Sequence, residues 1–128
     1  MIEDEVKPVT VALVGISGYG GVYMDFFQRG VVGPQEGCLV AVADPYAAAS
    51  PHYEYLQRQR IPIYGTLTEL LQRHVPQLVV LATPTPLHKQ QCMEALKAGC
   101  EVLCEKPLVP LLEDIAPLED AMKSSGHR

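Results

Sequence analysis

The residues that could do chemistry fall in four short stretches. The first is Val9–Gly21, VTVALVGISGYGG, where a β-branched apolar run breaks into Gly15, Gly18, Gly20 and Gly21, with Ser17 and Tyr19 between them. The second is Asp44, which ends the apolar run Cys38–Asp44. The third is Thr83-Pro84-Thr85-Pro86-Leu87-His88, and the fourth is Glu105-Lys106-Pro107. A strand that runs into glycines and then a helix can cradle a phosphate. The glycines let the backbone approach, and the helix offers unpaired N–H groups with the positive end of its dipole. The spacing departs from G-x-G-x-x-G and fits G-x-x-G-x-x-G better, through Gly15, Gly18 and Gly21. That implies a loop one residue longer, with the Ser17 hydroxyl free to contact phosphate. A strand-to-helix turn with no ligand would leave the same pattern.

An acid about 20 residues beyond such a loop can accept hydrogen bonds from ribose hydroxyls. Asp44 stands there, and its carboxylate would repel a 2′-phosphate, which favours NAD over NADP. An Asp-Pro turn with no ligand role is the other reading. His88 falls on the inner arc of a helix with Leu87, Cys92, Ala95 and Leu96. It is either a packed histidine bonded to backbone or a crevice group near a cofactor. Lys106 is either a solvated strand-end lysine or a charge and proton donor reaching into the crevice.

The elements that must position these groups follow from hydropathy and turn residues. Strands are expected at Val9–Val14, Cys38–Asp44, Ile61–Tyr64, Gln77–Ala82 and Glu101–Lys106. The third carries Pro62 and belongs near an edge. The first helix should cover Gly20–Arg29 with Val22, Phe26 and Phe27 inward. A second passes through Tyr53, Leu56 and Gln57, entered by Ser50 and Pro51 as N-cap and first helical residue. Thr66 and Glu69 have capping-box spacing before a third, through Leu70, Leu71 and His74. A fourth is opened by Thr85 and Pro86, runs to Ala98 and stops at Gly99. A fifth spans Leu111–Ser124, with Pro117 kinking it or starting a new turn. The alternation of strand and helix predicts an α/β, doubly wound parallel sheet, with ligands beyond the carboxyl ends of the strands.

Composition narrows the function. One domain over residues 1–128 is expected, since 48% apolar and 20% charged residues suit a globular core. A net charge of −5 without a basic run argues against nucleic acid. No apolar stretch reaches the ~18 residues of a membrane span, and MIEDEVKP lacks the features of a signal peptide. Cys38, Cys92, Cys100 and Cys104 form no C-x-x-C pair, which predicts reduced thiols in a cytoplasmic protein and no zinc.

Taken together, LVGISGYGG, AVADP, YGTLTELL, VVLATPTPLH and EALKAGCEVLCEKPL resemble the N-terminal domain of the glucose–fructose oxidoreductase and inositol dehydrogenase family (Gfo/Idh/MocA). The resemblance runs from about Val9 to Gly126. Its specific part is the pairing of T-P-x-x-x-H with A-G-x-x-V-L-x-E-K-P. It implies a Rossmann domain of an NAD(P)-dependent oxidoreductase acting on sugars, polyols or related compounds. It implies that Glu105-Lys106-Pro107 lines the active site, with Lys106 at the cofactor ribose or substrate, assisting proton transfer. Thr83, Pro84 and His88 would pack around the nicotinamide half. Two departures stand out. The Ser17 loop is also like the G-x-S-G-Y loop of semialdehyde dehydrogenases. Family members continue into a sixth strand and a substrate domain, so this chain reads as the cofactor domain alone, inactive by itself and prone to form homo-oligomers. The competing reading from another class is a non-catalytic module that senses NAD or docks a partner.

Overall fold

Three apolar segments rich in Val, Leu and Ala form the central strands of one parallel sheet because they can be buried on both faces, and two shorter, less buried segments form its edges. The computed structural model describes residues 7–106, 109 and 112–126. The strands are β1 (Val9–Val14), β2 (Gly37–Ala43), β3 (Ile63–Tyr64), β4 (Leu78–Leu81) and β5 (Glu101–Cys104). The helices are α1 (Tyr19–Gln28), α2 (Tyr53–Arg58), α3 (Leu67–Arg73), α4 (His88–Lys97) and α5 (Ile115–Ser125). All pairings are parallel and the order is β3-β2-β1-β4-β5, the doubly wound arrangement expected. β3, with Pro62 just before it, is an edge strand.

Two apolar layers cover the sheet. Val11, Leu13, Leu39, Val42 and Val80 meet Met24 of α1 and Leu56 of α2 on one face. Ala12, Val14, Ala41, Ala43, Val79 and Leu81 meet Leu67, Leu70, Cys92, Ala95 and Leu118 on the other. The β1–β2 pairing holds one irregularity: Val11 faces Leu39 but Ala12 faces Ala41, so Val40 is an extra residue in β2. It resets the side-chain alternation, because Val40 and Ala41 both pack toward the α3–α4 layer.

Local chemistry sets most boundaries. The Thr66 hydroxyl caps α3 by accepting from the Glu69 N–H at 3.2 Å. Gly99, at φ +93, ends α4 in the left-handed conformation. Elsewhere the expectations need correction. Helix α1 turns Gly20 and Met24 inward and packs Phe27 against the core as expected, while Val22 and Phe26 are exposed. The Ser50 hydroxyl accepts from the His52 N–H, but that turn precedes α2 rather than opening it. Thr85–Leu87 form a 3-10 turn, so α4 starts at His88 and Leu87 points outward. Strand β5 stops at Cys104, two residues short of Lys106. Pro117 lies in the first turn of α5, where its missing N–H has little to pair with, so it neither kinks nor restarts the helix. Leu111 and Pro107 lie outside the described residues.

Candidate cofactor-binding cleft

The strands end together. Backbone pairing runs one residue past four of them: Gly15 N–H to Ala43 O (2.8 Å), Asp44 N–H to Tyr64 O (2.9 Å), Ala82 N–H to Val14 O (2.8 Å) and Glu105 N–H to Leu81 O (2.9 Å). A cleft of about 850 Å³ opens just beyond, a size common for small-molecule and cofactor sites.

The glycine loop forms the middle of its floor. Gly15 has φ +85, and a Cβ there would lie 2.7 Å from the Ala82 carbonyl oxygen. At Gly20 a Cβ would lie 2.0 Å from the Gly15 carbonyl oxygen. This corrects the spacing read from the sequence. The glycine that permits close helix–strand packing is Gly20, not Gly21, whose Cβ would meet nothing nearer than 3.6 Å. The loop therefore has the ordinary length, G-x-S-x-x-G through Gly15, Ser17 and Gly20, with serine at the second glycine position. Gly15, Ser17, Gly18 and Tyr19 line the cleft; Gly20 and Gly21 do not. Ser17, Gly18 and Tyr19 are exposed where α1 begins, and no side chain caps that helix end.

Asp44 is buried beside the loop. Its Oδ2 accepts from the Ile16 N–H at 2.9 Å and its Oδ1 from the Tyr46 N–H at 2.7 Å. The carboxylate thus braces the glycine loop from β2. Each carboxylate oxygen has a further lone pair to offer, and Asp44 lines the cleft with Pro45 and Tyr46.

The β4–β5 side brings Thr83, Pro84, His88, Glu105 and Lys106 to the same cleft. His88 is the packed, backbone-bonded histidine of the first reading, and it also borders the cleft. It is 1% exposed, and its Nε2 donates to the Thr83 carbonyl at 2.7 Å. The Thr83 hydroxyl donates to Gln91 Oε1. The Tyr23 hydroxyl donates to Glu105 Oε1. Burial, aided by that carboxylate, pushes the Tyr23 phenol up to about 12. Below the rim, a hydrogen bond between the Cys104 and Cys92 thiols lowers the Cys92 pKa and raises that of Cys104, while burial raises that of Cys100. All four cysteines are free thiols.

Several lining residues went unnoticed in the sequence. Gly65–Thr68 follow β3, so the rule of carboxyl strand ends already marks them. Gln91 lies three residues after His88 on α4, a spacing that shares a helix face. Among the described residues no cluster of three His, Cys, Asp or Glu suits a metal, and no helix is long and apolar enough to cross a membrane.

This sheet order, with a glycine loop at the central strand end and an acid at the next, defines a dinucleotide-binding domain of the Rossmann class. The chain belongs to the Gfo/Idh/MocA oxidoreductase family: residues 9–128 match its model, described as oxidoreductase family, NAD-binding Rossmann fold. An inositol 2-dehydrogenase of Rubrobacter xylanophilus is 32% identical over 120 residues, covering 94% of this chain and 33% of that protein. The WlbA dehydrogenase of Chromobacterium violaceum, solved with NADH and UDP-GlcNAcA, superposes with a TM-score of 0.81 at 25% identity, over 98% of this chain and 34% of that one. GenD2 from gentamicin A biosynthesis, solved with NAD, gives 0.79 at 28% identity, with 98% and 34% covered. The chain spans about a third of the length of these relatives.

Proposed function

We propose that this chain binds NAD in the cleft and serves as the cofactor half of an oxidoreductase acting on a sugar, polyol or related compound. The observation that carries the reading is the glycine loop. Its backbone approaches Gly15 so closely at Gly20 that no side chain could stand there, and it brings the uncapped start of α1 to the cleft floor. That is where a pyrophosphate gains most from N–H groups and helix dipole. The presence of NAD or NADH in the solved relatives supports the choice of ligand.

Asp44 favours NAD over NADP, because a buried carboxylate beside the ribose position would repel a 2′-phosphate. Lys106, exposed at the rim, would meet the cofactor ribose or the substrate and assist proton transfer. Glu105, Thr83, Pro84 and His88 would wall the nicotinamide half. Substrate positioning lies outside residues 1–128, so this chain alone would bind cofactor without turning over a sugar or polyol. The four free thiols accord with a cytoplasmic protein.

Titration calorimetry of residues 1–128 with NAD and NADP tests the reading. NAD binding with weaker NADP binding is expected; tighter NADP binding overturns the role of Asp44, and no binding of either overturns the whole. The outer edge of β5, where Leu103 is half-exposed, supports association into a homo-oligomer. A monomer at high concentration by light scattering would sink that idea.

A further inference from the structure

Tyr23 lies one turn into α1, past the glycine loop, yet its hydroxyl reaches the residue that follows β5. It donates to Glu105, 82 residues away and directly before Lys106. The ring is held along the helix by Tyr19 (centroids 6.3 Å apart) and Phe26 (6.1 Å, edge-on). Glu105 is therefore gripped twice, by its backbone N–H on Leu81 O at 2.9 Å and by its carboxylate on α1. With the phenol pushed up to about 12 by burial and by Glu105, Tyr23 stays a proton donor across the whole neutral range.

The same helix that begins at the glycine loop thus holds the residue before Lys106. We propose that Tyr23 is a positioning residue: through Glu105 it sets where Lys106 stands relative to a cofactor bound on the glycine loop. This rests on the cofactor reading above. Packing alone does not account for the contact, since a phenylalanine would keep the ring stacking and lose only the bond to Glu105.

The test uses residues 1–128, NADH and an amine-acetylating reagent, with Lys106 acetylation followed by peptide mass spectrometry and NADH affinity by calorimetry. In the unaltered chain, saturating NADH slows Lys106 acetylation. Tyr23→Phe weakens that protection roughly tenfold, the scale of one hydrogen bond to a charged group. Its NADH affinity changes far less. Glu105→Ala also weakens the protection, and the double variant protects Lys106 no less than Glu105→Ala alone, as expected for partners in one bond. Glu105→Gln, whose amide oxygen still accepts from the phenol, retains more of the protection than Glu105→Ala and serves as a second route should Tyr23→Phe fold poorly. Full protection in Tyr23→Phe, or loss in Glu105→Gln equal to that in Glu105→Ala, overturns the proposal. NADH binding that leaves Lys106 unprotected in the unaltered chain overturns it while sparing the cofactor reading. Absence of NADH binding overturns both.

Discussion

The two halves of the cleft are built by different means. At the β1–β2 half, backbone does nearly all the holding. The bare Cα of Gly20 faces the Gly15 carbonyl, that of Gly15 faces the Ala82 carbonyl, and Asp44 binds two main-chain N–H groups. At the β4–β5 half, side chains meet side chains: Thr83 with Gln91, and Tyr23 with Glu105. His88 stands between these styles, a side chain on a main-chain carbonyl. The first half is dictated by residue types that few others can replace at those backbone angles. The second depends on partners that meet only after the sheet has assembled. The glycine-loop half can thus be rigid while the β4–β5 half remains adjustable by single side-chain changes.

Substitutions can break or sharpen that contrast. The largest effect is expected at Gly20→Ala. The new methyl would overlap the Gly15 carbonyl, and neither backbone can yield without moving β1 or α1. A loss of about 4 kcal/mol or more is expected, with NAD binding abolished; chemical denaturation and calorimetry measure both. His88→Ala should cost about 3 kcal/mol by denaturation, from the cavity and the stranded Thr83 carbonyl. A cost near zero would mean that the β4–β5 half does not depend on its buried group. The smallest effect is expected at Gly21→Ala, one residue from the most sensitive position and opposite in sign. Its Cβ has room, so helix propensity should stabilise the chain by about 0.5–1 kcal/mol, read as a raised melting temperature.

The same division governs what the sequence made legible. The strands, their parallel direction and the edge position of β3 follow from hydropathy, crossover rules and Pro62, and all appear in the structure. Gly15, Ser17, Asp44, Thr83, His88, Glu105 and Lys106 were singled out from sequence, and the fold gathers them at one cleft. The choice between Gly20 and Gly21 was not legible, because two adjacent glycines differ only in what lies opposite them. The inner face of α1 was legible only in part: Phe27 packs against the core as expected, but Val22 and Phe26 are exposed. The face runs through Gly20 and Met24, and a glycine gives no hydropathy signal for the closest point of contact. The Tyr23–Glu105 pairing was out of reach for another reason: nothing within either segment encodes a partner 82 residues away.

The extra residue at Val40 has a consequence for how this domain tolerates change in chain length. β2 spends seven residues alongside the six of β1. On either side of Val40 the partners stay aligned, Val11 with Leu39 and Ala12 with Ala41. Among the described ladders this is where one codon can disappear by straightening the strand, with neither flank slipping and Asp44 still delivered to Ile16. At any regular position of the sheet, the same deletion would turn every following side chain to the wrong face.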